Sequence, residues 1–199
     1  MIRRLLTLTL IMVLSLISLP QQKAQAESVV TIKQAIIKHS IELGIDPALG
    51  LSIAKQESGF CHTKRSSYGA VGVFQLMPQT AKRLGYNPYY LNENIRAGLM
   101  YYKMMYKMFG SVELALAAYN AGPGNVKKYN GMPPFSETKR FVSSIMGSYY
   151  SQKANPEEIL RQYGQSESQK KSMAQSGEFK KNLPDADDLL TNFLLHQAI

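Results

Sequence analysis

Hydrophobic residues recur at helical spacing over much of this chain. Between Val29 and Leu43 they stand three to four positions apart with polar residues between them, and Gly44 follows as a stop signal. A second helix is predicted to begin with Asp46 as N-cap and Pro47 at its first position, and to end at Gly59. Glu57 therefore falls in the last turn of the second helix.

The stretch SSYGAVGVFQLMP (66–78) breaks the helical pattern. Its glycines stand among small and β-favouring residues, which predicts a short irregular β-hairpin. Helical spacing then resumes. Further helices are predicted from Pro78 to Gly85, from Asn92 as cap to Gly110, from Ser111 as cap through VELALAAYN, within NVKKY, and in SETKRFVSSIMGSYY. The VELALAAYN helix is nearly all small or apolar and is predicted to be the buried central one.

The first 26 residues have the pattern of a secretory signal. Two arginines precede an apolar run from Leu5 to Leu19, and Ala24-Gln25-Ala26 supplies a small-x-small cleavage pattern. A permanent anchor is the alternative, but this run is shorter than the ~20 residues that a spanning helix needs. Cleavage before Glu27 would place the mature chain in the periplasm or cell envelope.

The rest of the chain is predicted to contain one domain and an extension. Residues 27–153 carry the helical pattern, whereas residues 154–182 are mostly polar and indicate a mobile linker. An amphipathic helix is predicted at 183–199, with an apolar stripe that must dock on the domain or on a partner.

The charge of the chain favours an anionic partner. The formal net charge is +9, and removal of Arg3, Arg4 and Lys23 with the signal leaves +6. Nucleic acid is not expected for an exported chain, whereas an anionic cell envelope would be met at once. No nucleotide loop, zinc-ligand spacing or Gly-x-Ser-x-Gly elbow occurs, and the three histidines are scattered, so no metal or other cofactor is predicted.

Cys61 is the only cysteine, so the chain can form no internal disulfide. The thiol is predicted to be free or paired with another molecule, and its structural interpretation is a small buried residue. A Cys61–His62 nucleophile is disfavoured, because adjacent side chains generally point apart and no orienting third group is evident.

Glu57 is the candidate catalytic residue. An ordinary glutamate titrates near ~4.3, so a general acid at neutral pH needs a pKa raised by ~2 units. The negative end of the helix macrodipole and burial beside Ile53, Ala54, Val73 and Phe74 would both raise the pKa of Glu57. The structural alternative is a plain helix-forming glutamate, and periodicity alone favours that alternative.

Motif order favours the catalytic interpretation. Glu57-Ser58, GAVGVFQLMP, NIRAG, ALAAYNAGPGNVKKY and ETKRFV follow one another along the chain. In these motifs, over about residues 29–152, the sequence resembles the soluble lytic transglycosylases, bacterial relatives of goose-type lysozyme that cut peptidoglycan glycan strands. The resemblance implies a mainly α, lysozyme-like α+β domain, which agrees with the short irregular β-hairpin, and the composition of the last residues adds a mobile C-terminal extension.

The resemblance also implies roles for individual residues. Glu57 would protonate the glycosidic oxygen between N-acetylmuramic acid (MurNAc) and N-acetylglucosamine (GlcNAc) and then act as base. The muramoyl acetamido group would assist at C1, and the 6-hydroxyl of the same sugar would attack to leave a 1,6-anhydro end. The implied substrate-binding residues are Ser58, Gln75, Tyr119, Asn120, Glu137 and Phe141.

Three of these residues have open alternatives. Ser58 could simply cap its helix end, and Gln75 could satisfy backbone in the hairpin. Phe141 stands where the family often has tyrosine, so the ring is kept and a polar contact is in doubt. Another carboxylate as partner of Glu57 also stays open, with Asp46, Glu93, Glu113 and Glu137 as candidates.

Three functions are compatible with the sequence. A lytic transglycosylase is favoured, and the alternatives are a goose-lysozyme-like hydrolase that uses water and a noncatalytic glycan-binding scaffold. By analogy with small relatives, the chain is expected to open the wall locally for secretion, conjugation or pilus assembly. The C-terminal extension would then bind components of that envelope machine.

Overall fold

The helices follow the order expected from the sequence, in a computed structural model that describes residues 29–155. The first helix, α1, occupies 29–42. The others are α2 (Pro47–Ser58), α3 (Pro78–Arg83), α4 (Leu91–Phe109), α5 (Val112–Ala121), α6 (Pro123–Lys128) and α7 (Ser136–Lys153). Isolated antiparallel bridges from Val71 to Arg65 and to Leu76 are the only β pairing in this region. The mainly helical prediction is confirmed, and the irregular hairpin consists of bridges rather than continuous strands.

Both ends of α2 are fixed by local sequence signals. The Asp46 carboxylate accepts a hydrogen bond from the Ala48 amide at 2.9 Å, as the N-cap prediction requires. The other carboxylate oxygen of Asp46 accepts from the Tyr149 hydroxyl at 3.0 Å, which ties the start of α2 to α7. Gly59 takes a left-handed conformation at φ 63° and donates to the Lys55 carbonyl, ending the helix.

Helix α5 is the central helix. Its residues from Ala115 to Tyr119 are all buried, and the helix contacts α4, α6 and α7. The Ser111 hydroxyl accepts from the Leu114 amide at 3.1 Å and caps the helix. The predictions of a buried central helix and of its cap are confirmed.

The predicted start of α4 is wrong. The helix begins at Leu91 after an extended Tyr90, and no side chain caps it. Asn92 lies exposed inside the first turn. Glu93, in the first turn, bonds to the preceding loop instead, because its carboxylate accepts a hydrogen bond from the Asn87 backbone amide at 2.6 Å. The predicted end at Gly110 is confirmed by a left-handed φ of 71°.

Several sequence predictions lie outside the described residues. These are the signal segment 1–26, nearly all of the polar linker 154–182 and the amphipathic helix 183–199, so the division into domains stays a prediction. Between residues 29 and 155, no helix combines the length and apolar character that crossing a membrane requires. The same residues contain no group of three or more potential metal-ligating side chains.

Candidate active site

The carboxyl group of Glu57 stands at the end of α2, in the last turn before the Gly59 cap. Its side chain is neither fully buried nor exposed. The preceding turns of α2 are buried from Ala48 to Ala54, so the helix leaves the core as it reaches Glu57. This geometry presents one acid at the boundary between a hydrophobic interior and solvent.

Burial raises the pKa of Glu57 to about 8 from an ordinary value of 4.5, while the positive charge of Lys64 acts in the opposite direction. No hydrogen bond from another described residue reaches the carboxylate, so little stabilises its ionised form. The predicted rise is confirmed, with burial as its main cause. At neutral pH the group is therefore protonated and can donate a proton.

A tight loop at residues 71–76 lies beside the end of α2. Val71 and Leu76 exchange backbone hydrogen bonds at 2.9 and 3.1 Å, and Gln75 adopts a left-handed φ of 43° that is uncommon for a residue with a side chain. The side-chain amide of Gln75 donates to the backbone carbonyls of Lys64 at 3.2 Å and Gly72 at 2.8 Å. Gln75 thus satisfies backbone groups in the loop, which was one of its two predicted roles.

Lys64 links this loop to the catalytic candidate, a role that sequence reasoning missed. Its ammonium donates to the Glu57 backbone carbonyl at 2.6 Å, and its own carbonyl accepts from the Gly72 amide at 3.0 Å. The site therefore has a continuous chain of bonds from Glu57 through Lys64 to Gln75. A lone exposed lysine in a loop gives no sequence signal for such a role.

Asn94 and Gly98 anchor the same loop from α4. Asn94 is fully buried, accepts from the Phe74 amide at 2.9 Å and donates to the Val71 and Pro88 carbonyls at 2.8 and 3.1 Å. A Cβ atom at Gly98 would collide with the Phe74 side chain. Sequence reasoning used these two residues only as part of the NIRAG motif. The signal for their role is a polar residue and a glycine inside an apolar helix.

Tyr119 connects α5 to the loop rather than facing solvent. Its hydroxyl donates to the Phe74 carbonyl at 2.8 Å, its ring lies 5.1 Å from that of Tyr101, and only 8% of the residue is exposed. Burial raises the pKa of Tyr119 well above 10, and the charge of Glu57 adds to this effect, so the two side chains are close enough to interact electrostatically. The contact of Tyr119 with sugar that the resemblance implies stays a prediction.

The remaining candidates from α5 and α7 fall into two groups. Asn120 accepts from the Thr138 hydroxyl at 2.7 Å, which joins the end of α5 to the first turn of α7, and Glu137 is exposed in that same turn. Phe141, one turn further on, lies in the core with 6% exposure. Little of the Phe141 ring is available for stacking on a sugar.

Ser58 and Cys61 make local contacts at the end of α2. The Ser58 hydroxyl donates to the Ala54 carbonyl at 3.3 Å and accepts from the Cys61 backbone amide at 3.1 Å. Ser58 therefore caps the end of its helix, which was one of its two predicted roles. The Cys61 thiol is exposed and lies 3.4 Å from the Thr63 hydroxyl, while His62 bonds to the Tyr89 carbonyl. The two side chains therefore have separate partners, and the interpretation of Cys61 as a buried residue is wrong.

Comparison with known proteins places this geometry in a family. Residues 34–142 match the domain described as Transglycosylase SLT domain. The soluble lytic murein transglycosylase of Salmonella typhimurium is 32% identical, and the alignment covers 58% of this chain and 22% of that protein.

Two solved structures have a similar fold. An inactive glutamate-to-glutamine mutant of the lytic transglycosylase Slt from Pseudomonas aeruginosa has a TM-score of 0.55 and 31% identity, covering 61% of this chain and 24% of that one. A complex of the 70-kDa soluble lytic transglycosylase with bulgecin A has a TM-score of 0.56 and 28% identity over the same shares. The chain spans less than a quarter of the length of these relatives, and its predicted fold class is confirmed.

Proposed function

Because this chain belongs to the transglycosylase SLT domain family, we propose that it is a lytic murein transglycosylase with Glu57 as its catalytic residue. The reaction is cleavage of the β-1,4 bond between MurNAc and GlcNAc, with formation of a 1,6-anhydroMurNAc end. The observation that carries the proposal is the single acid at the end of α2 whose pKa is raised by burial to about 8. The inactive glutamate-to-glutamine mutant of the Pseudomonas aeruginosa relative supports the choice of residue type.

The proposed chemistry uses one carboxyl group twice. Glu57 gives its proton to the glycosidic oxygen as the C1–O bond breaks, and GlcNAc leaves with a free 4-hydroxyl. The muramoyl acetamido group assists at C1, the 6-oxygen of the same MurNAc forms the new bond to C1, and the 6-hydroxyl proton passes to the Glu57 carboxylate. The acid is regenerated and no water is consumed.

Three of the four other candidate acids are poorly placed to form a carboxylate pair with Glu57, which favours the one-acid route. Asp46 stands eleven residues earlier on α2, which at 1.5 Å per residue is about 16 Å away along the axis and beyond the ~6.5 to 9.5 Å of an inverting pair. Glu93 is bonded to the Asn87 amide, and Glu113 lies at the start of α5 beside Ser111. A nucleophile within the bound sugar needs no second acid, and such tethered groups react at very high effective concentration.

The remaining candidate residues are proposed either to bind the glycan or to position the Glu57 carboxyl. Glu137 and Asn120 form one edge and are assigned to the sugar's polar groups, with Asn120 facing the acetamido group. Gln75 is assigned to the opposite edge on the loop. Tyr119, Ser58 and Phe141 are assigned to positioning around Glu57, because their hydroxyls or rings are already engaged with protein.

Analysis of released muropeptides by mass spectrometry tests the proposal. Purified chain incubated with murein sacculi is expected to release muropeptides with 1,6-anhydro ends. Bulgecin A, which is bound in the complex of a relative, is expected to lower this release. Muropeptides with reducing ends, heavier by one water, would establish the hydrolase instead. No release of any product would leave the noncatalytic scaffold as the function.

A place in the cell envelope and a role in local wall opening complete the proposal. Murein lies outside the inner membrane, so the predicted signal segment and the proposed substrate agree with each other. The role in secretion, conjugation or pilus assembly rests on sequence alone, with residues 154–199 as the proposed docking element. A chain ended at Lys153 that still cleaves murein and also still supports machine assembly in vivo would contradict this role.

A further inference from the structure

Lys64 brings a positive charge to the end of α2 from the loop that follows the helix. Its ammonium donates to the Glu57 backbone carbonyl at 2.6 Å, across seven positions of sequence. That carbonyl belongs to the last turn of α2, where carbonyls lack partners within the helix and the helix dipole has its negative end. The residue that carries the proposed catalytic carboxyl is therefore held by a cation through its backbone.

The backbone of Lys64 is itself fixed by the loop. Its amide donates to the Cys61 carbonyl at 3.4 Å, and its carbonyl accepts from the Gly72 amide at 3.0 Å, the Gln75 side-chain amide at 3.2 Å and the Arg65 guanidinium at 2.8 Å. The exposed Lys64 side chain thus starts from a defined position. A fixed backbone lowers the conformational entropy that is lost when the ammonium binds the helix end.

Two neighbouring cations are placed differently from Lys64. The Arg65 guanidinium donates to the His62 carbonyl at 3.2 Å and lies 5.4 Å from the centre of the Tyr89 ring, so it is directed along the loop. Lys55 stands in the last turn of α2 itself and is exposed to solvent. Lys64 is the basic residue whose charge lowers the pKa of Glu57.

The proposed reaction requires a negative charge on Glu57 in a buried setting. The carboxyl loses its proton to the glycosidic oxygen and stays ionised until the 6-hydroxyl proton reaches it. Burial raises the pKa of Glu57 to about 8, which opposes this ionisation, and the positive charge of Lys64 favours it. Tyr119 on α5 is the other titratable group that interacts with Glu57, and its burial keeps it neutral. A cation already in place where charge develops lowers the cost of proton transfer.

We propose that Lys64 is a positioning residue of the lytic reaction, which fixes the end of α2 against the loop and stabilises the Glu57 carboxylate that forms on proton transfer. The inference rests on the proposed function for the step at which Lys64 acts. Lys64 acts through Glu57 and does not touch the reacting atoms. It keeps its own proton throughout, so the proton balance of the reaction is unchanged.

The dependence of kcat on pH in the wild type, Lys64→Met and Lys64→Arg tests the inference. The wild-type rate is expected to fall as the pH rises through about 8, because Glu57 must be protonated to act as an acid. Methionine keeps an apolar stem but removes the charge and the donor. In Lys64→Met, this fall should move to higher pH by about 0.5 to 1 pH unit, and kcat below it should decrease about 2- to 10-fold. Lys64→Arg keeps the charge and should keep the wild-type profile.

Lys55→Met is the matched control, since it removes the same charge from the last turn of α2. It is expected to leave the pH profile in place and the rate within about twofold of the wild type. A lower rate in Lys64→Met without movement of the profile would reveal a merely structural contact and overturn the inference. An equal movement in Lys55→Met, or a Lys64→Arg profile like that of Lys64→Met, would overturn it too.

Failure of the proposed function shows separately, as a wild-type chain that releases no product from murein. Carbon-13 NMR titration of the Glu57 carboxyl in the same variants then decides the inference without catalysis. The midpoint is expected to lie about 0.5 to 1 pH unit higher in Lys64→Met than in the wild type and to be restored in Lys64→Arg. Equal midpoints in the wild type and Lys64→Met would overturn the inference.

Discussion

Replacement of Glu57 by glutamine is expected to lower kcat on murein by about 10²- to 10⁴-fold. The amide has nearly the same shape as the carboxyl but cannot protonate the glycosidic oxygen. KM is expected to change little, because binding of the strand depends on other residues. The rate of anhydro-muropeptide release under saturating substrate measures the effect.

A control variant separates lost chemistry from lost structure. Glu113→Gln, on the exposed first turn of α5, makes the same chemical change away from the site and is expected to keep the rate within about twofold. A comparable loss in the Glu113 variant, or a Glu57 variant with near wild-type kcat, would contradict the assignment of the acid.

The Glu57 variant should also be at least as stable as the wild type at neutral pH. Burial raises the pKa of Glu57 to about 8 in the folded chain, so the folded state holds the proton more tightly than the unfolded state does. Stability from this group is therefore full below about 4.5 and is lost as the pH rises through 8. Glutamine does not ionise, so the two proteins should unfold alike at pH 4, and the variant should gain about 3 to 5 kcal/mol relative to the wild type by pH 8.

Replacement of Asn94 by alanine is expected to destabilise the chain by about 3 to 5 kcal/mol. The change removes three hydrogen bonds at once and leaves the Phe74 amide and the Val71 and Pro88 carbonyls without their buried partner. It also leaves a cavity under the loop 71–76, so activity should fall with stability. Denaturant unfolding monitored by circular dichroism measures the free energy of unfolding.

Asn92→Ala is the matched control for Asn94→Ala. Asn92 lies two positions earlier on the same helix, is exposed, and makes no side-chain hydrogen bond with the described residues. Its replacement is expected to change stability by no more than about 0.5 kcal/mol. If the two variants differed by less than about 1 kcal/mol, the anchoring role assigned to Asn94 would be wrong.

The contrast between these two asparagines shows which parts of the fold are readable from sequence. Asn92 has the pattern of a helix cap, and the prediction failed because Glu93 and the extended Tyr90 set the start of α4 through contacts with the preceding loop. The ends of α2 were predictable, because Asp46, Pro47 and Gly59 act within a few residues of their own positions. Placement of Glu57 at the end of a helix follows from those signals alone.

The wider site depends on contacts that no local pattern contains. Tyr119 reaches the Phe74 carbonyl across 45 positions, and Asn94 reaches the Phe74 amide across 20. Periodicity marks Tyr119 as apolar and buried, which is correct, but it does not identify the partner of the hydroxyl. The order of motifs supplied what periodicity could not, namely the prediction that Glu57, Gln75, Tyr119 and Glu137 belong to one site.

Phe141 illustrates a different limit of the sequence. The departure from tyrosine is visible in ETKRFV, and loss of a hydroxyl was the only consequence that the sequence indicated. In the fold the ring is buried, so the substitution places an apolar edge in the core rather than a stacking surface in the cleft. A tyrosine at this position would bring a hydroxyl into the core, and that hydroxyl would need a hydrogen-bond partner there. Only the packing around the ring shows whether such a partner exists.

The most direct test of the central claim is a titration of the Glu57 carboxyl in the wild-type chain, followed by carbon-13 NMR with Glu57→Gln used to assign the signal. The account gives a midpoint near pH 8, so that the acid carries its proton at neutral pH. A midpoint below about 5, as for an ordinary exposed glutamate, would contradict it.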